Sequence, residues 1–216
     1  MFHNSKKIVK GLMLTTEYKR DIYHKKLHYR KYLKRKRGSQ SKSDVIEKSN
    51  KIFDKLINMP EYIDAKNLIV YCAKNNEVQT EKIIKHTLSR NKKVIVPITN
   101  TELRILEFSE ILDYDKDLEI STFDILEPKK EAIRPFDLTR IDLIIIPGVG
   151  FDKYGGRIGY GYGYFDKFLN SIDKNSPFIG LAFELQIVEI LPTTHHDARV
   201  DYIITEKRII ESKSEF

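Results

Sequence analysis

Seven of the chain's ten glycines fall between Gly148 and Gly163. The stretch reads Pro147-Gly148-Val149-Gly150-Phe151-Asp152, then Gly155-Gly156-Arg157-Ile158-Gly159-Tyr160-Gly161-Tyr162-Gly163-Tyr164-Phe165-Asp166. Glycine lets a backbone turn through positive φ and come close to a ligand. Amides exposed at a helix start favour anions, and Arg157 adds a planar fork of donors suited to phosphate. Tyr160, Tyr162 and Tyr164 alternate with Gly159, Gly161 and Gly163, so flat rings flank the exposed amides. This pattern suits a nucleotide, or another flat heterocycle with an anionic tail. The bland alternative is a glycine-rich surface turn. The glycine-lysine-serine/threonine ending of a P-loop is absent, and residue 164 is Tyr where a dinucleotide fingerprint needs Gly or Ala.

Three further places carry candidate chemistry. Tyr18 to Arg37 holds ten Lys or Arg and one acid, Asp21. Ile22, Lys26, Tyr29 and Leu33 share one face if this run is a helix, which puts Lys26 on the apolar stripe with Arg30 one turn on. A solvated charged face is the ordinary reading of such a run. Lys26 on the inward stripe argues that this charge meets something buried and anionic. Glu77 follows a short apolar run, Leu68 to Cys72, in a polar loop. His195-His196-Asp197 precedes Val200 to Thr205. Adjacent histidines point apart and make a poor metal pair, and no third ligand has zinc spacing.

The elements that must position these residues alternate. Asp44 is expected to cap a helix ending at Met59, with Pro60 marking the stop. Leu68 to Cys72 and Val94 to Ile98 read as strands around a helix over Glu81 to Ser89 capped by Thr80. Leu103 to Phe108 reads as an antiparallel strand, and residues 111–128 as a loop with short pieces of structure. Leu143 to Ile146 reads as a buried strand feeding the glycine loop, and a helix over Tyr162 to Ile172 leaves it. Phe178 to Phe183 and Val200 to Thr205 are further strands, with a short helix over Glu184 to Ile190. Strand-helix-strand units imply an α/β fold with a parallel sheet, in which ligands gather at the carboxyl ends of strands. Glu77 and the glycine loop then share one rim.

Composition narrows the setting. The 216 residues suffice for one domain with a full core. The lone cysteine, Cys72, excludes an internal disulfide, and no apolar run approaches a membrane span. The net charge of +7 fits nucleic acid, an anionic membrane or small polyanions equally. Residues 1–16 contain Lys6, Lys7 and Lys10 without an acid. They are expected to be a disordered extension rather than a presequence, leaving 17–216 as one domain.

The glycine stretch resembles the signature of the 5-formyltetrahydrofolate cyclo-ligases, also called 5,10-methenyltetrahydrofolate synthetases. The resemblance runs from about Lys26 to Ile210. Gly150 stands where Ala is usual, Ile158 where Leu is usual, and Phe165 where a second Tyr would add a hydroxyl. The resemblance implies a three-layer α/β/α fold related to sugar-phosphate isomerases and CoA transferases. It implies conversion of 5-formyltetrahydrofolate, with one or several glutamates, to 5,10-methenyltetrahydrofolate, using ATP and Mg²⁺ and releasing ADP and phosphate. It places ATP on Lys26, Arg30, Arg157 and the loop Gly159, Tyr160, Gly161, Tyr162, Gly163, Tyr164 and Phe165. Arg157 and Lys26 would serve catalysis. The folate would touch Arg30, Cys72, Glu77 and the loop from Tyr160 to Tyr164. Asp166 and Asp197 would hold Mg²⁺, with Asp201 as an alternative register for the second. It also implies a cytoplasmic monomer or homodimer that acts on small molecules rather than on nucleic acid or membrane, with an organelle as the alternative compartment should residues 1–16 be a presequence. Two other readings stand beside it. One is a nucleic-acid-binding module using the Tyr18 to Arg37 helix with the tyrosines as a stacking platform. The other is a fold relative acting on a sugar phosphate or CoA ester without ATP.

Overall fold

A computed structural model of the protein describes residues 2–172 and 176–212, the side chains of 2–17 and 122 excepted. The chain begins with one long helix, α1 (Phe2–Gly38). The expected extension over residues 1–16 falls where side chains lie outside this description. α2 (Lys42–Leu56) starts with a capping box: Ser41 accepts from the Asp44 amide, and Asp44 returns a carboxylate to the Ser41 amide. Ser41 is therefore the cap and Asp44 its reciprocal partner, a correction of three residues to the expected start. Pro60 does not merely end this helix. It opens a second short one, α3 (Pro60–Asp64), where its missing N–H costs nothing.

The next elements are β1 (Asn67–Val70), α4 (Glu81–Ser89), β2 (Lys93–Asn100) and β3 (Ile105–Ile111). Thr80 precedes α4 but does not cap it through its side chain. Its hydroxyl instead donates to the Tyr71 carbonyl and accepts from the Ala73 amide, clamping the end of β1. The mixed stretch that follows folds as α5 (Tyr114–Asp117) and a hairpin of β4 (Leu118–Ile120) and β5 (Leu126–Pro128). Then come β6 (Leu143–Ile146), β7 (Gly150–Asp152), β8 (Arg157–Ile158) and α6 (Tyr164–Leu169). The chain finishes with β9 (Phe178–Leu181), β10 (Ile187–Val188), β11 (Tyr202–Ile204) and β12 (Ile209–Glu211). Two expected helices are shorter than read. α6 loses both ends, and Glu184 to Ile190 is one 3₁₀ turn, Glu184–Gln186, followed by β10. In that turn the Gln186 side chain folds back to accept from the Phe183 amide, and its amide nitrogen donates to the carbonyls of Gly148 and Val149.

Seven strands form the main sheet in the order β12-β11-β9-β6-β1-β2-β3. The inner five run parallel, and the two edges, β12 and β3, are antiparallel. Side chains alternate across a strand, so both faces of the sheet are apolar. Leu143 and Ile145 of β6 join Leu68 and Val70 in the core beneath α2 and α4. Ile144 and Ile146 join Ile69 in the core beneath α6. All four β6 side chains are fully buried, each contributing about 1.5–3 kcal/mol. This is a layered α/β architecture around a largely parallel sheet, as the alternation of elements implied. A small sheet, β10-β7-β8, carries the glycine segment above it. Leu33 of α1 packs there with Val149, Ile158 and Leu191, so α1 is fastened directly to the glycine segment.

Candidate active site

One cleft of about 980 Å³ takes in every site residue that the resemblance implies except Asp201. The carboxylate of Asp201 instead accepts from the Phe178 amide at the start of β9, 2.8 Å away. The cleft has three walls. α1 supplies cations, the loop after β1 and the β4–β5 hairpin supply acids and apolar surface, and the glycine segment supplies amides, Arg157 and rings.

The α1 wall follows from helical spacing. Lys26, Arg30, Lys34 and Arg37 recur every three or four residues and all line the cleft. Lys26 meets a partly buried acid: its Nζ lies 2.5 Å from each oxygen of Asp197. Asp197 also accepts from the Thr194 amide at 2.6 Å and the Thr194 hydroxyl at 2.9 Å. Burial alone would push this carboxyl up. Lys26 and Thr194 outweigh burial and hold it below the usual carboxylate value. Arg30 Nε donates to the Gly159 carbonyl at 2.8 Å. Lys34 sits 4.5 Å from the centre of the Tyr160 ring. Burial, then Arg30, Arg37 and Lys74, push its amine down, with Glu77 pulling the other way.

Glu77 and Tyr160 make the polar floor. Tyr160 donates its hydroxyl to Glu77 in a short hydrogen bond and accepts from Arg37 Nη2 at 2.5 Å. The other Glu77 oxygen accepts from the Lys74 amide, and Arg37 Nη1 stands 3.8 Å from Glu77. Burial and then the Glu77 charge push the Tyr160 phenol well up, so it stays a donor. Arg37 is 4% exposed, and among the described residues its Nε has no hydrogen-bond partner. Cys72 lies beside this floor, its thiol pushed up to about 12 by burial and by Glu127.

Arg157 is the other buried guanidinium. It is 3% exposed and donates from Nη2 to Asp166 at 2.5 Å. Its Nε is also buried without a partner among the described residues. Asp166, in the first turn of α6, accepts as well from the amide of Ala198 at 3.3 Å, next in sequence to Asp197. The two expected metal ligands are thus brought together, each paired with one of the site's cations. Among the described residues, no group of three or more His, Cys, Asp and Glu side chains is placed to enclose a metal ion. Phe165, where a hydroxyl is missing, packs against both cores. Tyr162, 63% exposed, stacks on Phe123 from the β4–β5 loop at 5.1 Å. Asp152 lies behind the loop rather than in the cleft. It accepts from the amides of Tyr154, Gly156 and Leu191 and so holds the glycine segment in shape.

Sequence reasoning did not single out Arg37, Lys34, Phe123 or Glu127 as site residues. Arg37 and Lys34 had a usable signal, because they continue the face marked by Lys26 and Arg30. Phe123 and Glu127 had none, since only the β4–β5 hairpin carries them to the cleft.

A largely parallel α/β sheet under a cleft lined by buried guanidiniums, glycines and flat rings defines an α/β protein with a cationic, ring-lined pocket. Comparison narrows that class. The model of the 5-formyltetrahydrofolate cyclo-ligase family matches residues 22–206, and the chain belongs to that family of enzymes. It is 31% identical over 200 residues to a probable 5-formyltetrahydrofolate cyclo-ligase of Caenorhabditis elegans, covering 86% of this chain and 94% of that one. It is 35% identical over 144 residues to the cyclo-ligase of Haemophilus influenzae, covering 65% and 76%. Its fold matches the solved structure of Aquifex aeolicus 5,10-methenyltetrahydrofolate synthetase with a TM-score of 0.76 at 28% identity, covering 88% of this chain and 94% of that one.

Proposed function

We propose that the protein converts 5-formyltetrahydrofolate to 5,10-methenyltetrahydrofolate, with ATP consumed to ADP and phosphate. The observation that carries this is Arg157. A guanidinium only 3% exposed, its Nε without a partner among the described residues and Gly159, Gly161 and Gly163 lining the same cleft, calls for a multiply charged acceptor. A triphosphate is such an acceptor. Lys26, Arg30 and Arg157 would receive it.

The chemistry requires it. The formyl oxygen leaves poorly as hydroxide. When that oxygen attacks the γ-phosphorus, the bond to ADP breaks and the oxygen carries a phosphate. N10 then attacks the activated carbon and loses its proton, the carbon–oxygen bond breaks, and phosphate departs. Positioning and charge stabilisation are the protein's contribution. Arg157 and Lys26 offset charge on the transferring group, and Glu77 with Tyr160 orients the folate. No side-chain nucleophile is needed, and Cys72, protonated near neutral pH, offers none. The donor set at Asp166 and Asp197 fits Mg²⁺, which takes a few carboxylates and completes its shell with phosphate and water. Bound there, the ion would neutralise phosphate charge.

The test is incubation with ATP, Mg²⁺ and 5-formyltetrahydrofolate, followed by methenyl absorbance. With heavy oxygen in the formyl group, the label should end in inorganic phosphate. Label recovered in water eliminates the phosphorylated intermediate.

A further inference from the structure

We infer that Glu127 recognises the hydrogen-bond donor edge of the substrate's heterocycle. This rests on the folate reading above and adds a contact that the reading does not assign.

Glu127 lies in β5 and lines the cleft, yet only 3% of its surface is exposed. Four carboxylates line this cleft. Asp166 is paired with Arg157, Asp197 with Lys26, and Glu77 stands beside Arg37 with both oxygens engaged. Glu127 is different. Oε1 accepts from the Thr99 amide at 2.9 Å, and among the described residues no basic side chain pairs with it. A nearly buried carboxylate with one neutral donor is an expensive arrangement unless something else supplies donors. A phosphate cannot, because like charges repel. The part of the ligand at β5 must therefore present N–H groups.

The two heterocycles of the proposed reaction differ here. A tetrahydropterin presents its ring N3–H and 2-amino N–H side by side, two parallel donors that match a carboxylate fork. Adenine presents one amino donor next to a ring nitrogen lone pair, which a carboxylate opposes. Glu127 thus selects the pterin. The stacked Phe123 and Tyr162 rings, from the loop that carries β5 and from the glycine segment, line the same cleft and offer flat surface for it.

Glu127→Gln tests this. Glutamine keeps an oxygen for the Thr99 amide but loses the charge and one acceptor, so the variant is expected to melt with wild type. Its Kd for 5-formyltetrahydrofolate by titration calorimetry, and its folate KM, should rise about 10- to 100-fold, while the ATP KM stays at the wild-type value. A purely structural role for Glu127 would move both KM values together or neither. The second arm uses the 2-desamino-2-methyl analogue of the substrate. Wild type should bind it at least about 10-fold more weakly than the parent, and Glu127→Gln should bind the two almost alike. Equal binding of both compounds by wild type overturns the inference, and so does discrimination that survives in the variant. If wild type neither binds nor turns over 5-formyltetrahydrofolate, the proposed activity itself fails. Normal wild-type turnover with undiminished folate binding in Glu127→Gln removes only the role of Glu127.

Discussion

Arg157 spends one terminal nitrogen on Asp166 and has another 3.5 Å from the Pro147 carbonyl, while its Nε meets no acceptor among the described residues. Lysine at 157 keeps the charge but has no fork and cannot serve Asp166 and a phosphate together. Arg157→Lys should raise the ATP KM about 10- to 100-fold, in line with loss of a charge-assisted hydrogen bond. Steady-state titration of ATP at saturating folate reads this, and a wild-type ATP KM would remove Arg157 from the phosphate site. Asp197 supports a prediction in pH. Its carboxyl is depressed in the folded protein, so its pairing stabilises the fold above the unfolded value of about 3.9. That contribution is lost as pH falls through the lower folded value. The melting temperature of Asp197→Asn should therefore lie below wild type at pH 6, with the gap closing as pH falls below about 4. A gap that stays constant would mean the Lys26 pair contributes nothing. Lys26 itself was legible because one cation broke an apolar stripe. Glu127 was not, because its environment is assembled from β2 and β5, about thirty residues apart in the chain.

Elements divide in the same way. β6 was legible to the residue, since a run of four aliphatic side chains between Asp142 and Pro147 has no other stable place than the middle of a sheet. α6 was overextended because helical spacing of apolar residues cannot show that Gly163 adopts a left-handed cap at φ 74°. The turn at 184–186 was misread as a helix because the Gln186 side chain, bonded to the Gly148 and Val149 carbonyls, organises it from outside. The departure at Gly150 also belongs at this scale. A Cβ there would stand 2.2 Å from Leu33 Cδ1, and Leu33 is fully buried. Glycine on β7 and leucine on α1 are thus a complementary pair that sets how closely α1 approaches the glycine segment. Gly150→Ala alone should cost about 1–3 kcal/mol through overpacking. Combined with Leu33→Val, it should cost less than the sum of the single changes. Chemical denaturation of the four proteins gives the coupling, and simple additivity would show that the two residues do not share this space.

On the whole molecule, the net charge of +7 is not spread evenly. Lys26, Arg30, Lys34 and Arg37 line one side of a single cleft, joined there by Lys74 and Arg157. Lys26, Arg37 and Arg157 have acidic partners within the site. Lys34 sits over the Tyr160 ring with Arg30, Arg37 and Lys74 around it, and its amine is pushed down first by burial and then by those charges. The sign follows. A base with a lowered folded value pays for its charge in the folded state, fully so below that value, and is relieved only as pH rises through it toward the unfolded one. The ligand-free protein thus carries a local repulsion that a polyanion removes. Lys34→Gln should raise the melting temperature of the ligand-free protein at low salt, and the gain should shrink at 1 M salt, where screening falls to about 3 Å. The same variant should gain less stability than wild type from saturating ATP and Mg²⁺, because part of what the ligand relieves is already gone. The two measurements belong together: a melting temperature lowered by Lys34→Gln at every salt concentration would mean that its stacking on Tyr160 outweighs the repulsion, and that the charge of the cleft is not held in reserve for a ligand.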